Sequence, residues 1–347
     1  MLISVSNYGI MQNISFPLSS VLHTKERRKL IVGKKDTITK RFMRNKEVFA
    51  DVFNYQLFDG VPVIQPDQLH ELPEELDLVL DKTTKEFVAL SKERDVLMSF
   101  TGMVDEEAVY LLLGIENQSL LHYAMPVRNL LYDAMQYDRQ LQDIAEKHEQ
   151  ERRHQKRHDK HISDGEFIGK FYRNDKIIPV ITIVVYFGAA PWDGPRSLHE
   201  MFATQDNEIL QYVADYRINL ISPADMRDSE IEKFQSSFRE VMKFIKYSKD
   251  KENLQKIISE DERYQKVNQD AALVMNMVTT TKLKMVEEGK ETIDMGDALT
   301  EIKEEGREEG LREVAKNLFR IGISIHDIAI GVQKDEETVT SWLTETI

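Results

Sequence analysis

The sequence predicts an α/β fold followed by a helical C-terminal tail. Two apolar runs, at residues 106–119 and 176–188, are typical of strands that are buried on both faces of a sheet. Amphipathic helical patterns lie before, between and after these runs, and no strand pattern remains beyond about residue 255. With 347 residues, of which 41% are hydrophobic, the chain can form at least one sizeable core.

The first half of the chain alternates helical and strand patterns. Residues 41–58 predict a helix, and an Asp-Gly pair at 59–60 then predicts a turn. Residues 61–84, which are rich in proline and acids, are expected to form an irregular loop. Residues 85–102 are rich in strand signals and form two strand segments. Asp95 lies inside the second of these. The apolar stripe of the first helix consists of Phe49, Val52, Phe53 and Leu57.

From Tyr123 onward the patterns are mainly helical, apart from the apolar run at 176–188. A long helix is predicted from Tyr123 and runs into a basic segment at 147–161. Residues 229–248 predict a further amphipathic helix, in which Ser229 and Glu232 could form a capping box. The apolar spacing of the long helix is set by Val127, Leu130, Leu131, Ala134, Leu141, Ile144 and Ala145.

A shift in composition near residues 250–290 predicts the main boundary in the chain. We therefore expect a leader of unknown role at 1–40, a folded domain at 41–250 and a helical region at 251–347. The leader lacks the features of a signal peptide. No run of eighteen apolar residues is present, so a transmembrane helix is not expected.

Charge and cysteine content exclude several classes of function. The net charge is −14, which argues against nonspecific coating of nucleic acid, although a nuclease can still meet DNA through a metal ion. The chain has no cysteine, which rules out disulfides and cysteine-based zinc sites and is consistent with a cytoplasmic protein.

Three polar residues at strand ends form the candidate site. Glu116 and Gln118 are two positions apart on a strand, so their side chains point to the same face. If the strand that contains Asp95 and the strand that contains Glu116 pair as a hairpin, the two acids converge. Two carboxylates suit Mg²⁺, which prefers oxygen ligands. The alternative is that Glu116 is solvated or paired with Arg94 or Arg128.

Longer stretches of sequence carry a family resemblance. The segments RDVLMSF, AVYLLLGIENQSLLHYAMPVRNLLYDAMQY, PVITIVVYFGAAPWDGPRSLHEM and FADVFNYQLFDG resemble the Rpn family of recombination-promoting nucleases, also called "putative transposases". The resemblance covers about residues 41–250 and extends loosely into the tail. It implies a PD-(D/E)XK restriction-endonuclease-like core, in which a mixed sheet is flanked by helices.

The resemblance also implies roles for individual residues. Asp95 and Glu116 would bind the metal, and Gln118 would stand where most members of the superfamily have lysine. Asp51 in the first helix would correspond to an acid that assists the metal in some members, whereas an exposed helical aspartate is the simpler expectation. The implied activity is Mg²⁺-dependent endonucleolytic cleavage of DNA, with a role in recombination. The alternative is a catalytically inactive module that binds nucleic acid or protein.

Other features are less specific. Arg128 and Tyr132 are four residues apart on a helical face distinct from the apolar stripe, where they could contact a DNA phosphate or support Glu116. The basic segment 147–161 could contact a DNA backbone or simply be a solvated helix end. Residues 324–343 faintly resemble a helix-turn-helix, but three acids open the second helix, which favours an interaction or homo-oligomerisation element over a DNA reader.

Overall fold

The computed structural model describes residues 37–72, 75–79, 89–93, 95–104, 107–154, 162–279 and 292–344. Residues 1–36 of the leader and Arg94 therefore lie outside the described residues, as does the second half of the basic segment. The strands are β1 (Leu69–Glu71), β2 (Glu75–Val79), β3 (Ala89–Glu93), β4 (Val96–Val104), β5 (Glu107–Gln118), β6 (Val180–Tyr186), β7 (Asn219–Ile221), β8 (Val267–Asn268) and β9 (Thr292–Ile293).

Five of these strands form one mixed sheet in the order β1-β4-β5-β6-β7. Strands β1, β4 and β5 are antiparallel neighbours, whereas β6 and β7 continue the sheet in parallel with β5. The strands β2 and β3 form a separate antiparallel pair, as do β8 and β9. Because β5 is paired on both sides, its continuous apolar sequence lies in the middle of the sheet.

Helices connect and flank this sheet. They are α1 (Lys46–Phe58), α2 (Met125–His154), α3 (Asp164–Gly169), α4 (Asn207–Leu210), α5 (Asp228–Ile231), α6 (Phe238–Tyr247), α7 (Lys251–Glu260), α8 (Gln269–Thr279), α9 (Met295–Arg320), α10 (Ile325–Val332) and α11 (Glu336–Thr344). None of the helices in the described part of the chain combines the length and hydropathy needed to cross a bilayer.

Helix α1 and the turn after it follow the sequence prediction. The side chain of Asn45 caps the helix by accepting a hydrogen bond from the Glu47 amide at 2.9 Å. Three of the four predicted stripe residues are fully buried, and Leu57 is half-buried against the same core. The helix ends where Asp59 and Gly60 adopt positive φ angles of 54° and 87°, a conformation that Gly tolerates best.

The two faces of the sheet differ in chemistry. Leu113 and Ile115 of β5 belong to the main hydrophobic core, which also contains buried residues of α1, α6 and α8. Because successive side chains of a strand point to opposite faces, Glu116 points to the other face of the sheet. On that face Thr182 of β6 contacts α2. Residues on both sides of position 250 contribute to the main core. The domain division near that position stays a prediction.

The buried face of α2 is not the one that apolar spacing predicts. Val127, Leu130 and Leu141 are 44%, 37% and 42% exposed, so these members of the predicted apolar stripe face outward, whereas Leu131 is half-buried against Tyr132 and Met135. The residues buried on α2 are instead largely polar: Asn129, Tyr132, Asp133, Gln136 and His148, with Met125, Pro126 and Met135. The reason is the sheet face beneath the helix, which carries Glu116 and Thr182 and therefore requires polar partners.

Two other segment predictions are wrong in detail. Residues 61–84 are not wholly irregular, because they contain β1 and β2. Residues 229–248 form two helices, α5 and α6, rather than one. At the start of α5 the Glu230 side chain accepts a hydrogen bond of 2.7 Å from the Arg227 backbone N–H, so the predicted box of Ser229 and Glu232 is not the one that begins this helix.

The C-terminal helices have their own small core. Helices α9, α10 and α11 bury Trp342 together with Ala315, Ile328, Ala329, Val332 and Val339. Gln333 ends α10 with φ of 56°, the left-handed conformation that glycine takes in many such turns. Helix α11 opens with Glu336 and Glu337, both exposed, which places negative charge where a DNA-reading helix would meet phosphate.

Candidate active site

Asp95 and Glu116 lie opposite each other at one end of the β4–β5 pairing. The register pairs Val96 with Ile115, and the next step places Asp95 opposite Glu116. Directly opposed residues in an antiparallel pair project on the same face of a sheet. The hairpin that the sequence analysis required is therefore present, and it brings the two acids to one face.

A hydrogen bond fixes Asp95 at this position. Its Oδ2 atom accepts a bond of 2.7 Å from the backbone N–H of Asn117. Asp95 precedes the first residue of β4, so this bond extends the contact between the two strands by one position. Asn117 contributes through its backbone, which no sequence pattern could have indicated.

Glu116 is completely buried and forms an ion pair with α2. Its Oε2 atom lies 3.3 Å from Nη2 of Arg128, whose side chain is 31% exposed. A buried carboxylate is costly without a compensating charge, so this ion pair stabilises the site. Of the two arginines that the sequence offered as partners for Glu116, Arg128 is the one that the described residues show in contact.

Tyr132 supports Arg128 from one helical turn further along α2. The Nε–H of Arg128 donates to the Tyr132 hydroxyl at 3.1 Å, and the guanidinium lies 5.4 Å from the centre of the ring. Burial lowers the pKa of Arg128, but the nearby Glu116, Tyr132 and Asp95 outweigh this effect and raise it. Burial, followed by the charge of Glu116, raises the pKa of Tyr132. At neutral pH the arginine is therefore charged and the tyrosine is neutral.

Gln118 completes the group at the end of β5. It is buried, and it pairs with Tyr186 in the parallel register between β5 and β6. Gln118 lines a cleft of about 310 Å³ together with Asp95, Asn117, Arg128 and residues 119–122. The sequence-predicted residues Asp95, Gln118 and Arg128 thus share one cleft, with Glu116 buried behind Arg128.

Asp51 is in a different environment. It is buried, not exposed as the helical pattern suggested, and its carboxylate holds the turn before α6. The backbone N–H groups of Gln235 and Ser236 donate to it at 3.0 and 2.8 Å, and the Ser236 hydroxyl donates at 2.6 Å. These contacts give Asp51 a role in joining α1 to α6.

A further buried acid, Asp133, was missed by the sequence analysis. Its two carboxylate oxygens accept bonds of 2.5 Å from the hydroxyls of Thr182 and Tyr216. These bonds join α2 to β6 and to the segment before β7. A signal was available, because Asn129, Asp133 and Gln136 are spaced as one helical face.

The oxygen donors of the site suit a hard divalent cation. Among the described residues, no group of three or more His, Asp or Glu side chains could hold a metal. Mg²⁺ does not need such a group, because it is usually bound by one or two carboxylates together with water and phosphate oxygens. The carboxylates of Asp95 and Glu116 therefore fit Mg²⁺ by their chemistry.

Comparison with known proteins gives one match. The family described as "Putative transposase, YhgA-like" matches residues 34–272, a span that contains the whole of the candidate site and of the five-stranded sheet. None of the curated proteins and none of the solved structures matched. Since the matched span is well over half of the 347 residues, the chain belongs to the YhgA-like transposase family.

Proposed function

We propose that this chain is a Mg²⁺-dependent endonuclease that hydrolyses phosphodiester bonds in DNA, in recombination or in the movement of a mobile element. The mobile-element role is supported by the family description. The nuclease activity is supported above all by one observation: Asp95 lies opposite Glu116 in the register of β4 and β5, and Asp95 lines the adjacent cleft.

The same arrangement supports a PD-(D/E)XK core. An acid immediately precedes β4, and the Glu-x-Gln sequence ends the neighbouring antiparallel strand β5. Helix α2 then leads to β6, which is parallel to β5. This is the order of elements that the resemblance to recombination-promoting nucleases implies.

Each residue has a distinct role in the proposal. Asp95 and Glu116 would hold Mg²⁺, and Gln118 would orient a water molecule through its side-chain amide. When bound, the ion would lower the pKa of a coordinated water and neutralise charge on the phosphoryl group. Gln118 can donate and accept hydrogen bonds but carries no charge, so its role is positioning. The proposed cut leaves a 5′-phosphate.

Nicking of supercoiled plasmid tests the proposal. Purified wild-type protein is compared in Mg²⁺ and in EDTA with the variants Asp95→Ala and Glu116→Gln. Asp143→Ala, which removes an exposed acid from α2, is the matched control. We expect nicking in Mg²⁺ by the wild type and the control only. Equal nicking by all four proteins would place the activity elsewhere or in a contaminant.

The second candidate is a catalytically inactive binding module on the same fold. Two observations favour it: the neutral Gln118 replaces the usual lysine, and Glu116 is already paired with Arg128. The plasmid experiment separates the two candidates. A folded wild-type protein that binds DNA without cutting it in any divalent metal would favour the binding module.

A further inference from the structure

Arg128 and a metal ion would compete for the same carboxylate. The guanidinium lies 3.3 Å from Oε2 of Glu116 and supplies positive charge to a group that water cannot reach. A divalent cation on Glu116 would place a second positive charge beside the guanidinium. Like charges at such separations disfavour each other strongly in a buried site.

The surroundings of Arg128 allow it to move away from Glu116. Its side chain is about one-third exposed and lines the cleft, whereas Glu116 is fully enclosed. The contacts to Glu116 and Tyr132 use two of its three guanidinium nitrogens. Rotation about the side-chain torsions of Arg128 can swing the whole planar guanidinium away from Glu116 toward the cleft, where a phosphate group is a suitable bidentate partner.

We propose that Arg128 is an exchangeable counter-ion of Glu116. It neutralises the buried carboxylate while no cation is bound, and a divalent cation displaces its guanidinium toward the cleft. This inference rests on the proposed function, because it takes Glu116 as a metal ligand. It assigns Arg128 a positioning and gating role that a residue merely holding Glu116 in place would not have.

Competition predicts an effect of unusual sign. If the arginine must leave before the cation binds, the measured affinity is the intrinsic affinity multiplied by the fraction of molecules in which the guanidinium has left the site. Removing the guanidinium should therefore strengthen cation binding, by about tenfold if Arg128 occupies the site nine-tenths of the time. A residue that only supports Glu116 would weaken binding when removed.

Calorimetric titration of Mg²⁺ into the DNA-free protein measures this effect. The proteins are the full-length wild type, Arg128→Gln, Arg128→Lys and the control Arg139→Gln, which removes an exposed arginine from the same helix. We expect binding to be about tenfold tighter in Arg128→Gln and unchanged in Arg139→Gln. Arg128→Lys keeps the charge and should stay closer to the wild type.

Thermal unfolding in EDTA and in Mg²⁺ provides the second readout. Without its counter-ion, Arg128→Gln should melt below the wild type in EDTA and recover more than the wild type when Mg²⁺ is added. Equal or weaker Mg²⁺ binding by a folded Arg128→Gln would overturn the exchange, as would failure of that variant to fold even in Mg²⁺. If the exchange is overturned in this way but the wild type still cuts plasmid, only the proposed nuclease activity is supported. If neither the wild type nor Arg128→Gln binds a divalent cation, both the exchange and the proposed nuclease activity fail.

Discussion

The carboxylate of Asp95 accepts a 2.7 Å hydrogen bond from the backbone N–H of Asn117, one residue beyond Glu116. This bond joins the residue before β4 to the end of β5. It holds one acid of the candidate site in the position where it faces the other. The site is therefore built by the pairing of two strands, and its geometry depends on their register.

The charge of Asp95 and its hydrogen bond can be separated by substitution. Asp95→Asn keeps an oxygen that accepts from Asn117 but removes the charge. We expect plasmid nicking to fall at least about 100-fold, because metal binding and charge stabilisation are worth several kcal/mol. The free energy of unfolding should change by less than about 1 kcal/mol, whereas Asp95→Ala should cost about 1–3 kcal/mol through the unpaired N–H.

Rates of plasmid nicking and urea unfolding curves check this prediction. The two variants should be similar in activity and different in stability. Activity in Asp95→Asn within tenfold of the wild type would contradict a role for the charge of Asp95.

The elements that carry the site were predictable from the sequence because their signals are local. The apolar run of β5 and the Glu-x-Gln at its end place two polar groups on one face, whatever surrounds them. The short strand β1 could not be found in this way. It has three residues, and its pairing with β4 depends on contacts about thirty positions apart.

Burial of polar residues was the main feature that local patterns could not predict. Helix α2 turns Asn129 and Asp133 toward the sheet because Thr182 and Glu116 project from it, so hydropathy alone selects the wrong face. Asp51 is buried by hydrogen bonds to residues 184 and 185 positions away in sequence. In both cases the deciding partners lie in other elements.

Gln118 provides a test of water positioning separate from metal binding. Gln118→Leu preserves most of the side-chain volume and leaves the backbone bond from Phe187 N–H to Gln118 O, of 2.9 Å, in place. We expect the cleavage rate to fall about 10- to 100-fold, since loss of a positioning group affects orientation of the reacting water. Mg²⁺ affinity measured by calorimetry should remain within about twofold.

The exposed glutamine Gln150 offers a matched control for Gln118. Gln150→Leu makes the same chemical change on the surface of α2 and should alter neither quantity. A parallel loss of metal affinity in Gln118→Leu would instead make the amide oxygen a metal ligand.

Asp133 is expected to be a major determinant of how α2 sits on the sheet. Hydrogen bonds to a buried carboxylate are stronger than those between neutral groups. Tyr216→Phe and Thr182→Val each remove one of the two 2.5 Å bonds with little change in shape. Each should lower the free energy of unfolding by about 1.5–3 kcal/mol in urea titrations.

A surface tyrosine provides the comparison for Tyr216. Tyr212 is 85% exposed, so Tyr212→Phe should change stability by less than about 0.5 kcal/mol. If Tyr216→Phe were equally neutral, the bond to Asp133 would not contribute net stability.

Arg239 is the centre of a buried ion cluster whose contribution should depend on pH. Its three nitrogens contact Glu232, Glu240 and Asp261 at 2.6, 2.9 and 2.6 Å. Removing one partner from a buried cluster leaves uncompensated charge. Arg239→Met should therefore cost about 3–5 kcal/mol at pH 7, measured by urea unfolding. Arg139→Met, an exposed substitution, should cost little.

The pH dependence follows from the acids around Arg239. Burial raises the pKa values of Glu232 and Asp261. Hydrogen bonds from Lys243 and Arg239 outweigh this effect for Glu232, and the hydrogen bond from Arg239 outweighs it for Asp261. The pKa of Glu232 is therefore lowered from 4.5 and that of Asp261 from 3.8. A lowered folded-state pKa gives stability that is present above the unfolded pKa and is lost as pH falls through the folded value. Burial raises the pKa of Glu240, so this group takes up a proton at a higher pH than the other two acids. Its titration opposes part of the loss of stability at low pH. The cost of Arg239→Met should thus shrink below about pH 4. An equal cost at pH 7 and at pH 3 would show that Arg239 stabilises the fold by packing and not by charge.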